Sequence, residues 1–252
     1  MPLGARDAVA ELTSLLRDAL AERLLGLYLF GSLPAGSYQE GRSDVDLLAV
    51  LSEAPGEDDL PALDALHSGF VARHPEWTER VEVGYIGRGA LATFAGEPSG
   101  QIAAISPGEP LHLRHPEYGW VLNWHSACTS GETLFGPPPL ELGPEVTADV
   151  LRRAITERLD EWAHVIREPW VRYVPAARGY AVVTHCRSLH SLATGEVATK
   201  EEAVEWVAAR YPEQAAYVRQ ALAEHRGDLD TPQRQAIDFA EWARAEALRA
   251  RG

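Results

Sequence analysis

The sequence predicts an α+β chain, with a small mixed sheet and helices in its N-terminal part and an all-α bundle after it. Three observations carry this expectation. The apolar runs Leu24 to Phe30 and Leu47 to Leu51 flank a polar, glycine-containing loop, as buried strands do. Beyond the run Gly136-Pro137-Pro138-Pro139, apolar residues recur at helical spacing. The 252 residues are 46 % hydrophobic, enough to build one large core or two modest ones.

Charge and cysteine usage narrow the class. The formal net charge is -14 and the sequence pI about 5.1, so bulk nucleic acid is not an expected partner. An acidic surface also suits a cationic small molecule. Cys128 and Cys186 have no spacing that suggests a disulfide or metal framework, which fits a reducing cytoplasm. No run approaches the ~18 apolar residues of a membrane span, and no secretory segment opens the chain. A cytoplasmic monomer is expected.

Taken in order, Val9, Leu12, Leu15, Leu16, Leu20 and Leu24 give an amphipathic first helix over 5–22, closed by Gly26. The two strands around the polar loop follow. Leu60, Leu63, Leu66, Phe70 and Val71 then give a second helix, ended by Pro75. Residues 80–86 read as another strand. Residues 88–119 show no clear period and are expected to run over the surface. There His112 and His115 are spaced like a metal pair that nothing completes. Trp120 to Trp124 returns to the core; His125 and Cys128, three residues apart, are expected to pack rather than ligate. The triple proline marks the domain boundary, giving domains 1–139 and 140–252. Five helices with short links are expected in the second domain, one opened by a Thr199 cap with acids in its first turn.

The chemistry concentrates in Leu27 to Leu51. Side chains two apart on a strand share a face, so Asp44 and Asp46 project together while Val45 faces the core. Two carboxylates at that spacing suit a hard divalent cation. Gly31 allows a tight bend and close ligand approach, and Ser32 with nearby amides can hold phosphate oxygens. The competing reading is an acidic hairpin with a solvated turn. Gly36 to Ser43 lies one residue from the P-loop pattern, with Arg42 where lysine belongs. A P-loop must open a helix, whereas here a strand follows, so that pattern is rejected. Glu82 points from its strand opposite to Val81 and Val83, towards the side of the two aspartates if the strands pair. Its bland alternative is an edge-strand glutamate beside Arg80.

Gly31-Ser32, ten intervening residues and then Ser43-Asp44-x-Asp46 before an apolar strand resemble the signature of the polymerase-beta-type nucleotidyltransferases. The segment Arg187 to Glu201, with Glu205-Trp206, resembles the C-terminal helical domain of the aminoglycoside 3''-adenylyltransferases. The resemblance implies an N-terminal nucleotidyltransferase domain and a helical domain that closes on nucleotide and substrate. It implies Mg2+ held by Asp44 and Asp46, with Glu82 as general base or third ligand. Gly31, Ser32 and Ser43 fall in the nucleotide-binding signature. Arg187 and Lys200 match cations that reach the triphosphate, and Trp242 falls near a nucleotide-facing aromatic, with core packing as its alternative. Glu168 and Trp170 stand near the acceptor-recognition positions, where Ala176-Ala177-Arg178 replaces the family's acidic stretch.

The expected reaction moves AMP from ATP to a hydroxyl of a small cationic acceptor, an aminoglycoside of the streptomycin or spectinomycin type, releasing pyrophosphate. The alternatives are a protein or tRNA acceptor, as in antitoxin-like relatives, and a non-catalytic nucleotide-binding module.

Overall fold

The computed structural model describes residues 3–227 and 230–249, which form two compact units, Met1–Thr147 and Ala148–Gly252. In the first, helix α1 (Ala5–Leu20) buries Ala5, Ala8, Val9, Leu12, Leu16 and Leu20, the one-sided stripe its periodicity dictates. Strands β1 (Leu24–Phe30), β2 (Val45–Leu51), β3 (Val81–Gly87), β4 (Ile102–Ser106), β5 (Glu109–Arg114) and β6 (Glu132–Phe135) make one sheet in the order β5-β4-β3-β2-β1-β6. β2 and β3 are parallel, joined through helix α2 (Leu60–Arg73); every other pairing is antiparallel.

Each of the three central strands is buried throughout except at its second residue. Strands covered on both faces read as continuous apolar runs, which explains their sequence. One face, with Leu27, Leu29, Val45, Leu47, Ala49, Val83 and Tyr85, packs with α1 and α2. Over the other lies helix α4 (Tyr118–Thr129), whose Trp120, Val121, Trp124 and Ala127 are buried. Close approach there depends on Gly84, since a Cβ at that position would stand 2.3 Å from the Trp120 ring.

Residues 88–119 depart from expectation. They hold a short helix, α3 (Arg88–Ala92), and then β4 and β5, which extend the sheet. Ile102, Ala103 and Ala104 are core residues, and Gly108, at φ +77, turns the chain between the two strands. The apolar stretch is short and half alanine, too weak in pattern to stand out. His112 and His115 accept no shared ligand role: their Nδ1 atoms bond separately to the carbonyls of Pro110 and Gly100. The triple proline lies against the sheet, where Tyr28 donates to the Pro137 carbonyl at 2.9 Å and Pro139–Leu142 forms helix α5.

The core of this unit contains one polar pair. His67 Nε2 and the Tyr85 hydroxyl are 2.6 Å apart and both residues are buried. Burial pushes His67 down to about 4. The unfolded chain therefore takes up a proton near the ordinary value of 6.5 that the folded chain refuses until about pH 4. The contribution is full above pH 6.5 and declines as pH falls through that window, by up to about 3 kcal/mol. Urea unfolding between pH 7 and pH 4 is expected to show this decline, and His67→Phe to flatten it.

The second unit contains helices α6 (Ala148–Val165), α7 (Pro175–Thr194), α8 (Lys200–Arg210), α9 (Ala215–His225) and α10 (Gln233–Arg249) among the described residues. Gly195, at φ +78, closes α7. Thr199 caps α8 as expected, and with Glu202 it forms a capping box, each bonding the other's backbone N–H. Arg178 on α7, 2 % exposed, donates Nε to Glu224 of α9, 0 % exposed, at 3.1 Å. Its Nη1 donates to the Val171 and Arg172 carbonyls at 3.0 and 2.7 Å, and Nη2 to Asp230. Glu224 also accepts from the backbone N–H and hydroxyl of Thr231. One buried ion pair thus ties α7, α9, the 169–173 turn and the approach to α10.

Candidate active site

Gly31 ends β1 at φ +77, and a Cβ added there would lie 2.0 Å from Asp46 Oδ2. Its backbone conformation and the neighbouring carboxylate both require glycine at this bend. The loop beyond it is closed by backbone bonds, Ser37 N–H to Ser32 O at 3.0 Å and Ser43 N–H to Gln39 O at 2.9 Å. The Ser43 hydroxyl accepts from Gln39 N–H at 3.0 Å, so its role within the structure is to shape the loop. Arg80 donates Nε and Nη2 to the Ser43 carbonyl at 3.2 and 2.6 Å and lies over the Trp77 ring. That guanidinium fixes the chain one residue before Asp44.

Asp46 pairs with Phe30 across the antiparallel ladder and with Glu82 across the parallel one. Side chains at the same register of neighbouring strands share a face. Asp46 and Glu82 are the second residues of β2 and β3, the partly exposed position in each otherwise buried strand. β3 lies between β2 and β4, which overturns the edge-strand alternative for Glu82, and Arg80 is engaged with Ser43. The Asn123 amide on α4 donates to Glu82 Oε1 at 3.2 Å. Asp44 lies outside the ladder, immediately before β2. Among the described residues no group of three His, Cys, Asp or Glu side chains is gathered to hold a metal. The ladder aligns Asp46 with Glu82; it leaves Asp44 at the end of the loop.

The other expected site residues belong to the helical unit. Lys200 opens α8, with Nζ 2.9 Å from His225 Nε2 and 5.6 Å from the Tyr180 ring centroid. Burial, and then the Lys200 charge, push His225 down to about 4, so its neutral ring accepts from the ammonium group. Arg187 donates Nε to the Ala198 carbonyl at 3.0 Å, in the turn leading to Lys200. Glu201, next to Lys200, pairs with Arg226. Trp242 packs against Tyr211 and Phe239 beside the helical core. Trp170 is 50 % exposed in the 169–173 turn, and Glu168 is exposed before it.

The acids of β2 and β3 stand at one register beside the glycine bend, on a sheet that is followed in the chain by a helical unit. Of the ten matching chains of solved structures, one is the spectinomycin adenyltransferase AAD(9) from Enterococcus faecialis, solved with ATP and spectinomycin. It is similar at TM-score 0.79 and 17 % identity, over 97 % of this chain and 100 % of that one. Residues 141–246 match the family model described as aminoglycoside adenylyltransferase, C-terminal domain. No curated protein matches the sequence.

Proposed function

We propose that this protein transfers AMP from ATP to a hydroxyl of an aminoglycoside, a reaction that would confer antibiotic resistance. The observation that carries the reading is the register pairing of Asp46 with Glu82 on two parallel strands, beside the bend at Gly31. The matched C-terminal domain supports the acceptor class.

The acceptor oxygen attacks the α-phosphorus, its proton passes to Glu82, and the bond to the β-phosphate oxygen breaks to release pyrophosphate. Gly31 and the amides of the Ser32 loop present backbone to the phosphates. Arg187 and Lys200 neutralise the charge that grows on the leaving pyrophosphate. The oxygen donors of Asp44 and Asp46 fit Mg2+, which takes one or two carboxylates together with substrate phosphates, and the missing side chain at Gly31 keeps Asp46 Oδ2 uncrowded. When bound, the ion would supply charge neutralisation at the phosphates. Asn123 engages Glu82, which supports the role of base over that of third ligand. Trp170, exposed and aromatic, is assigned with Glu168 to acceptor recognition.

Purified protein incubated with labelled ATP and Mg2+ is expected to transfer AMP to spectinomycin or streptomycin, and not to tRNA or added protein. Label on tRNA or protein alone would move the reading to the antitoxin-like class, and ATP binding without pyrophosphate release to a binding module. Glu82→Gln is expected to lower kcat by roughly 10²- to 10⁴-fold with the KM for ATP kept.

A further inference from the structure

We propose that Asn123 is a positioning residue of this reaction, holding the Glu82 carboxylate in the orientation from which it takes the acceptor's proton. The inference rests on the assignment of Glu82 as base in the proposed AMP transfer.

The Asn123 Nδ2 to Glu82 Oε1 distance of 3.2 Å spans 41 residues of sequence. An ionised carboxylate only accepts hydrogen bonds, so the amide must present its NH2 to it. The contact is built into the packing of α4. Trp120 lies over Gly84, where any Cβ would collide with its ring. Asn123 follows Trp120 by three residues, on the same side of the helix. Glu82 precedes Gly84 by two, on the same face of β3. Helix and strand thus meet at two matched points, running in opposite directions. Val121, Trp124 and Ala127 are buried, and the Trp124 indole donates to the Pro144 carbonyl at 2.8 Å, so the donor rides on a rigid element. A glutamate has three side-chain torsions. Anchoring one of its oxygens removes most of that freedom before substrate arrives.

A double-mutant cycle with steady-state kinetics and thermal unfolding tests this. Asn123→Ala in the native background is expected to lower kcat by roughly 10- to 100-fold. KM for ATP and acceptor should stay within about twofold, because the effect is confined to the base. In the Glu82→Gln background the same substitution should cost almost nothing further. Asn123→Asp keeps the volume but replaces the donor by a second carboxylate; it should be at least as slow as the alanine variant, and it serves the cycle if the alanine variant does not fold. An equal loss in both backgrounds, or no loss in the native one, overturns the inference while leaving Glu82 as base. Full activity of Glu82→Gln would instead overturn the base assignment, and the inference with it.

Discussion

Asp46→Asn is expected to abolish AMP transfer while leaving the fold intact. The substitution is nearly isosteric and sits at a partly exposed strand position, so the ladder on either side should survive. What it removes is charge. Asp46 is the carboxylate shared by the Gly31 bend, at whose Cβ position its Oδ2 would lie 2.0 Å away, and by the register of Glu82. A neutral amide there presents a donor towards phosphate but cannot hold a hard cation. Pyrophosphate release should fall to background, with the thermal unfolding midpoint within a few degrees of the native one. Activity retained within about tenfold would remove the two-aspartate assignment.

Arg178→Met carries the largest expected effect on stability. It leaves Glu224, with no exposed surface, as a buried carboxylate stripped of its ion pair, and frees the Val171 and Arg172 carbonyls. Breaking one side of such a pair costs about 3–5 kcal/mol. For a unit of this size that lowers the unfolding midpoint by more than about 10 °C. Adding Glu224→Met should recover much of the loss, since an apolar pair of similar volume is often as stable as the buried ions. Differential scanning calorimetry, following the helical unit's transition, checks both. A single variant as stable as the native protein would show the network to be dispensable.

The difference between what sequence disclosed and what only coordinates disclosed follows from the range of the interactions. The α1 stripe, the apolar strands and the Thr199 cap are local patterns, and each emerged where its residues predicted. The carboxylates of β2 and β3 were recognisable because strand alternation and the Gly31-Ser32 spacing are written in consecutive residues. Ile102 to Ser106 escaped because two alanines in five positions give little alternation, although Pro107-Gly108 after it was a turn signal. That Glu82 lies on an interior strand needed the sheet order, which no local stretch encodes. Asn123 and the Arg178–Glu224 pair depend on contacts across 41 and 46 residues. In sequence they look like one polar residue among tryptophans and two ordinary helix charges.

The two acids ride on adjacent inner strands of one hydrogen-bonded ladder, seven residues long on each side. Their separation cannot drift without sliding one strand past the other and exposing the apolar interior on both faces. The spacing proposed for catalysis is therefore inherited from the fold itself. Amide protons of β2 and β3 should accordingly exchange with solvent only as slowly as the whole unit unfolds, making the strands that carry the two acids among its least yielding parts.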